Sequence, residues 1–124
     1  MNNDILAKLN RLGAETDDAV GRFMDDKEMY LKYVGGFPAE PTMGRLVAAV
    51  EATDYASAEK AVHALKGIVN NLGFLPLADA AVDMLQLLRE GDIEEALEAY
   101  GELRTQYRIF TEAIVSSMDG EIHE

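Results

Sequence analysis

Four residues between positions 63 and 70 have the types and spacing to do chemistry on a helix surface: His63, Lys66, Gly67 and Asn70. Their i, i+3, i+4, i+7 spacing places them on one helix face. An imidazole ring is partly neutral near pH 7 and can act as a nucleophile. A lysine one turn away supplies a positive charge for a phosphoryl group carried by that ring. Gly67 gives a partner room to approach, although a glycine inside a helix costs about 1 kcal/mol relative to alanine.

The other polar candidates lie close to this face or far from it. Asn71, like Asn70, offers an amide donor at the next turn. The second histidine, His123, falls in the polar tail and is expected to be a solvated terminal residue. From spacing alone, an ordinary surface histidine with a lysine one turn away remains an alternative interpretation.

The segment Ala58–Gly73 must position these residues, and its apolar pattern predicts an amphipathic helix. Thr53 and Asp54 are expected to mark the start of this helix and Gly73 its end. The buried stripe runs beside the polar one and consists of Ala58, Val62, Leu65, Val69 and Leu72.

The rest of the chain also has helical periodicity, and the short turns at Gly73–Leu75 and Gly91–Asp92 favour antiparallel neighbours. We therefore predict an all-α fold, an up-and-down antiparallel four-helix bundle with short additional N-terminal helices. The chain is expected to form a single domain, 1–124, with its core at about 17–118 and a frayed tail at 119–124. Three short helices are predicted at the N-terminus, at Asp4–Leu12, from Thr16 or Asp17 to Met24, and at Lys27–Val34, followed by a Gly/Pro loop at 35–41. A fourth helix is predicted from the N-cap Thr42 to about Ala52. After the central helix, one helix has Pro76 in its first turn and is closed by Gly91, and the last runs from an Asp92/Glu95 capping box to about Met118.

Composition narrows the classes of function. Hydrophobic residues are 48% and charged residues 27%, as in ordinary globular proteins. Cysteine is absent, which excludes disulfides and thiolate metal sites. A net charge of −12 argues against nucleic-acid binding. We expect a cytoplasmic protein without a membrane span, because apolar runs are short and a signal peptide is lacking. The Met1 start and polar tail favour a free-standing protein.

The segment HALKGIVNNLG resembles the signature of the histidine-containing phosphotransfer (Hpt) domain family. That signature has Lys at +3, Gly at +4, a frequent Asn at +8 and Gly at +10 from the histidine. The downstream pattern Leu77, Ala81 and Met84 and the upstream segment AVGRFMDDKEMYLKYVGGF are also similar, so the resemblance covers roughly residues 17–115. The matching signature residues are His63, Lys66, Gly67, Asn71 and Gly73.

Two positions depart from the family pattern. Asn70 stands where a small residue is common, so it either narrows the approach to His63 or donates a hydrogen bond to the phosphoryl group. Leu85 stands where a Glu is frequent, and we expect it to affect the bundle surface more than the chemistry.

The resemblance implies that His63 accepts a phosphoryl group from an aspartyl phosphate on a response-regulator receiver domain and passes it to another receiver. The implied partners are receivers and a hybrid histidine kinase. The receiver would supply the acidic pocket and Mg²⁺, so no metal or cofactor of the chain's own is expected. The expected binding surface includes Glu59, Lys60, Asn70 and Asn71, with an apolar rim from Met24 or Phe37.

The implied role is that of a phosphotransfer intermediate rather than a kinase. The chain contains neither a GxxxxGK[ST] loop nor a kinase-type Gly-rich loop. His63 is followed by Ala64, Leu65 and Lys66, not by the His-Glu-x-x-Thr-Pro pattern of dimerising kinase helices. We therefore expect a monomer without an ATP-binding domain.

Two other classes of function remain open at this stage. One is a helical adaptor that binds a signalling protein and uses no chemistry at His63. The other is a metal-dependent enzyme, suggested by Glu59 and His63 at i, i+4. The metal site is disfavoured because a bundle site needs further ligands on facing helices.

Overall fold

The computed structural model describes residues 3–122, with side chains described for residues 4–118. This part of the chain consists of helices joined by short turns and contains no strand, which confirms the predicted all-α class. Its elements are α1 (Asn3–Arg11), α2 (Thr16–Arg22), α3 (Lys27–Gly36), a 3₁₀ helix (Phe37–Ala39), α4 (Thr42–Glu51), α5 (Tyr55–Leu72), α6 (Leu75–Arg89) and α7 (Ile93–Ile122).

The last four helices pack in chain order, α4 on α5, α5 on α6 and α6 on α7. Among the short helices, α1 packs on α7, α2 on α5, and α3 on both α5 and α7. The structure is therefore a helical bundle against which three short N-terminal helices pack, with α5 covered by α2, α3, α4 and α6.

A cluster of aromatic rings fixes the turn between α5 and α6. Phe74 is fully buried and stacks on Phe110 of α7, with 4.7 Å between ring centroids. Phe37 meets Phe74 edge-on at 5.5 Å. Burying each such side chain contributes about 2–3 kcal/mol, so this cluster determines where α5 ends relative to α7.

Local chemistry sets both ends of α5, as predicted. The Asp54 carboxylate accepts a hydrogen bond from the backbone N–H of Ser57 at 3.1 Å and caps the first turn. Gly73 ends the helix with φ of +79°. A Cβ at Gly73 would lie 2.7 Å from the Glu15 carbonyl oxygen, so both the conformation and the close contact with the chain before α2 require glycine.

The start of α4 differs from the prediction. Pro41 is the N-cap, and Thr42 is the first helical residue rather than the cap. The buried Thr42 hydroxyl and amide both donate to the Glu40 carboxylate, at 2.8 and 3.0 Å, which satisfies them without a Thr42 cap. The predicted Gly/Pro loop also contains a 3₁₀ helix, because Phe37 is anchored in the core.

The helix α7 begins directly after Asp92, as predicted, but the predicted capping box and C-terminal end need correction. The amide N–H of Asp92 donates to the Leu87 carbonyl at 2.9 Å, so the reciprocal half of a capping box with Glu95 does not form. The helix continues to Ile122, four residues beyond the predicted end at Met118. His123 lies outside the described residues.

Burial along α6 and α7 depends on which faces of these helices their neighbours cover. Leu85, expected at the bundle surface, is buried because α6 is covered by both α5 and α7. Val82, Leu97 and Val115 are exposed, because the apolar residues of α6 and α7 spread over a wider face than the neighbouring helices cover.

Within residues 3–122, no helix combines the length and the apolar character that crossing a membrane requires.

Candidate functional site

His63 stands on an exposed strip that runs the length of α5. Between Lys60 and Asn70, the exposed positions of this helix are His63, Ala64 and Gly67. The imidazole ring is therefore bordered by a methyl group and a glycine, so no large side chain on this strip projects beside it. Ala64 was not singled out from the sequence, although its i, i+3 relation to Gly67 was visible. The strip consists of Ala56, Ser57, Lys60, His63, Ala64, Gly67, Asn70 and Asn71.

Gly67 has no role in the packing of the chain. A Cβ built at this position meets no atom within 4 Å, and its φ lies outside the left-handed region that favours glycine. Gly73, six residues on, is required by both conformation and contact. Because the fold gains nothing from a glycine at 67, the clearance that it leaves beside His63 is available to another molecule.

The side of the strip that faces α6 carries Lys66 and Glu59. Both are partly buried, two helical turns apart on the same line. Glu59 contacts Arg89 of α6 at 4.0 Å, so its carboxylate is turned away from the strip. Lys66 forms no ion pair with another described residue, so its ammonium is not held by an internal carboxylate.

On the other side of the strip, α3 and α5 border a cavity of about 460 Å³, which we call the α3–α5 cavity. Tyr33, at its edge, is 58% exposed and packs on Phe23 with 5.2 Å between ring centroids. Of the two residues predicted for an apolar rim, Phe37 is buried but lines this cavity, and Met24 is 87% exposed in the α2–α3 turn. The lining residues are Phe23, Lys32, Tyr33, Gly36, Phe37, Glu40, Ile68, Asn71 and Leu72.

Nearer the start of α5, a smaller cleft of about 260 Å³ lies between α4 and α5, and we call it the α4–α5 cleft. Arg45 and Lys60 are its charged residues, and Ala64 connects it to the strip. With Lys66 and with Lys32 of the α3–α5 cavity, which also contains Glu40, four cations lie along α5 or in the two concavities that border it, in a chain of net charge −12. The remaining lining residues are Thr42, Ser57 and Ala61.

Two side chains from the short helices hold the C-terminal end of α5. The Arg22 guanidinium donates to the carbonyls of Asn70 and Asn71, at 2.9 and 3.3 Å. The Tyr30 hydroxyl donates to the Leu72 carbonyl at 2.7 Å. These contacts satisfy carbonyls that a helix end leaves unpaired, and a cation is favourable there. Burial raises the pKa of Tyr30 well above its ordinary value, so it remains a neutral donor.

The structure thus brings His63, Lys60, Lys66, Gly67, Asn70 and Asn71 together along one surface and turns Glu59 toward α6. The side-chain amides of Asn70 and Asn71 form no hydrogen bond within the described part of the chain. Among residues 4–118, no group of three carboxylates or imidazoles is arranged to hold a metal ion.

Comparison with known proteins agrees with this geometry. The model of the Hpt domain family matches residues 39–112, which is more than half of the chain and includes α4, α5 and α6. The match begins after α3, so it does not extend to the opening helices. No curated protein and no solved structure matches the chain. Hpt domains carry phosphoryl groups on histidine in two-component signalling, have no kinase domain, and interact with receivers and kinases. The chain belongs to the Hpt domain family.

Proposed function

We propose that His63 is the phosphoacceptor of a phosphorelay, taking a phosphoryl group from one receiver domain and passing it to another. The observation that carries this proposal is positional. The chain has two histidines, and only His63 lies within the segment that matches the Hpt family. It is also exposed, next to the clearance at Gly67.

In the proposed transfer, every bond that forms and breaks is accounted for without a cofactor bound to this chain. A neutral ring nitrogen of His63 attacks the phosphorus of a receiver's aspartyl phosphate. An N–P bond forms, the P–O bond to aspartate breaks, and the carboxylate leaves with its electron pair. In the second step, the carboxylate of another receiver attacks the same phosphorus, the N–P bond breaks, and the neutral ring is restored.

The residues around His63 have distinct proposed roles. Lys66 lies one turn away without an internal ion pair and neutralises charge on the phosphoryl group. Lys60 does the same from the α4 side. Asn70 and Asn71 present free amides that donate to the phosphoryl oxygens or to the receiver backbone.

The receiver would dock across the strip and onto the α3–α5 cavity. The cavity adjoins Asn71 of the strip and has exposed apolar surface at Tyr33, and Met24 extends that surface. Exposed aromatic and methionine side chains around a concavity are typical of protein-binding sites. The cations along α5 and in its two bordering concavities would favour the approach of an acidic receiver pocket that holds Mg²⁺.

The remaining parts of the proposal concern the setting of the relay. We propose that the chain acts as a cytoplasmic monomer, without kinase activity, between a hybrid histidine kinase and its receivers. Glu59 contributes to the surface near α6 rather than to the phosphoryl group, because its carboxylate faces Arg89.

The experiment is a transfer assay with a panel of receiver domains carrying labelled aspartyl phosphate. Wild-type protein is expected to acquire label that is acid-labile and alkali-stable, as phosphohistidine is. His63→Gln is expected to acquire none. His123→Gln is the matched control, because it removes the only other histidine, and it is expected to label like the wild type.

Three results would refute the proposal. If His63→Gln acquired label, or if His123→Gln lost it, His63 would not be the phosphoacceptor. Failure of every receiver to label the folded wild-type protein would favour the helical adaptor, and capture of binding partners would then be the next measurement.

A further inference from the structure

A second concave surface lies away from His63, between α4 and α7. No Cα atom in the described part of α7 comes within 8 Å of a Cα atom of α4, although each helix packs on its neighbour in chain order. Packed helix axes are separated by about 8–10 Å, so α4 and α7 are further apart than a packed pair. The space between them is a groove of about 470 Å³, which we call the α4–α7 groove. Its lining residues are Met43, Val47, Gly101, Arg104, Thr105, Tyr107 and Arg108.

The groove has no lining residue in common with the surfaces around His63, the α3–α5 cavity and the α4–α5 cleft. Tyr107 of the groove nevertheless packs on Phe37 of the α3–α5 cavity, with 5.5 Å between ring centroids. Helix α4 lies between the two surfaces, since it turns Thr42 and Arg45 toward α5 and Met43 and Val47 toward α7. A molecule in the groove therefore contacts none of the residues in the proposed transfer step.

Gly101 is the least expected residue of the groove. It lies inside the 30-residue helix α7, where glycine costs about 1 kcal/mol relative to alanine. A Cβ at this position meets no atom within 4 Å, and its φ is not in the left-handed region. Neither packing nor conformation explains the glycine. Its effect is to lower the wall of the groove, as Gly67 lowers the surface beside His63.

The charged residues that line the groove are both arginines, in a chain of net charge −12. Arg104 lies 5.5 Å above the Tyr100 ring and forms no ion pair within residues 4–118. Arg108 contacts Glu112 at 3.6 Å, but both side chains are more than half exposed, and such a pair contributes little. The apolar lining of the groove consists of Met43 and Val47 on the α4 side and Tyr107 on the α7 side.

We propose that the α4–α7 groove binds an amphipathic helix with an acidic polar face, contributed by a partner protein. Its apolar face would rest on Met43, Val47 and Tyr107, and its carboxylates would pair with Arg104 and Arg108. Gly101 would allow the two backbones to approach closely. The groove-lining residues of α7 (101–108) span about 10 Å and those of α4 (43–47) about 6 Å, which fits about two turns of a bound helix.

The test uses a synthetic peptide, since the partner is defined only by its chemistry. The probe is a fluorescent peptide of about 14 residues with Leu at i, i+3, i+4 and i+7 and Glu on the polar face, held helical by a staple on its solvent side. A second peptide carries Lys in place of every Glu. We expect wild-type protein to bind the acidic peptide at least about tenfold more tightly than the basic one.

Two variants and their matched controls locate the site. Gly101→Gln and Arg104→Glu are each expected to weaken binding by about tenfold or more. Gly44→Gln makes the same change at an exposed glycine of α4 that lines neither this groove nor the surfaces around His63 and also has no atom within 4 Å of its Cβ. Arg11→Glu makes the same charge change on α1. Both controls are expected to bind within about twofold of wild type.

Three outcomes would overturn the proposal: no binding of the acidic peptide, equal binding of both peptides, or unchanged binding by Gly101→Gln and Arg104→Glu. Dimers seen in sedimentation of the wild-type protein and lost in Gly101→Gln would also overturn it, because a second copy would then fill the groove. All four variants are expected to accept phosphate on His63 normally, so this proposal and the proposed relay can fail separately.

Discussion

Replacing Gly67 with leucine should separate stability from function. Leucine has a helix propensity about 0.8 kcal/mol more favourable than glycine, and a Cβ at this position meets no atom within 4 Å. The variant should therefore be more stable by about 0.5–1 kcal/mol, which for a chain of 124 residues raises Tm by about 2–5 °C. The same side chain occupies the clearance beside His63.

The effect on transfer follows from the distance that the reaction requires. The reacting nitrogen and phosphorus must approach to about 3–3.5 Å in line, and a displacement of about 1 Å costs on the order of 100-fold in rate. Leucine at 67 adds four carbons on the side from which a receiver must approach. Transfer from a phosphorylated receiver, measured by rapid quench, should fall by about 100-fold or more.

Two controls make this result specific. Gly44→Leu changes an exposed helical glycine with the same free space, away from His63, and should gain similar stability with normal transfer. A small donor such as phosphoramidate, which needs no docking surface, should still phosphorylate His63 in Gly67→Leu, releasing ammonia. Normal transfer from the receiver to Gly67→Leu would refute the clearance argument.

Three further predictions concern single groups. Lys66→Ala should slow transfer or shorten the phosphohistidine lifetime by about three- to tenfold, because a partly exposed charge pair contributes about 1 kcal/mol, and Lys66→Arg should largely restore it. Tyr30→Phe leaves the buried Leu72 carbonyl without its donor and should lower the free energy of unfolding by about 1–3 kcal/mol, measured by urea titration. Because burial raises the pKa of Tyr30, this side chain ionises first in the unfolded chain above about pH 10, and wild-type stability should fall there. The fall should be shallower in Tyr30→Phe but not absent, since burial also raises the pKa of Tyr100 and Tyr107. Hydrogen bonds from Ser57 lower the pKa of Asp54, so Asp54→Ala should have a lower Tm at pH 7, and its difference from wild type should shrink as pH falls below about 4.

The sequence predicted the central helix well because local chemistry sets its ends. Asp54 caps its own first turn through Ser57, and Gly73 adopts the left-handed conformation that ends the helix. The buried stripe of α5 likewise matched the 3.6-residue period. His63 was placed correctly on the exposed side for the same reason, since the polar residues follow a second line on the helix.

What the sequence missed depends on contacts between distant segments. Arg22 and Tyr30 hold carbonyls of α5 more than 40 positions away, and nothing in the local pattern of α2 or α3 indicates this. The orientation of Glu59 toward Arg89 depends on how α6 packs. The burial of Leu85 has the same cause. The spacing of apolar residues predicts one buried and one exposed side for a helix, whereas α6 packs on two neighbours and is covered on both sides.

The α4–α7 groove was also beyond the sequence. The sequence pattern does not distinguish Gly101 from any other helical glycine, and only the structure shows that the space beside it is open. The same holds for Ala64, whose small side chain matters because it borders the histidine on an exposed strip.

A two-step transfer tests most directly whether His63 carries the phosphoryl group between receivers. The protein is first labelled by one phosphorylated receiver and purified away from it, the label is mapped by alkaline peptide analysis, and an unphosphorylated second receiver is then added. We expect one phosphoryl group per chain, mapped to His63 and lost as it appears on the second receiver's aspartate. Label mapped to any other residue, or label on His63 that no receiver can remove, would contradict it.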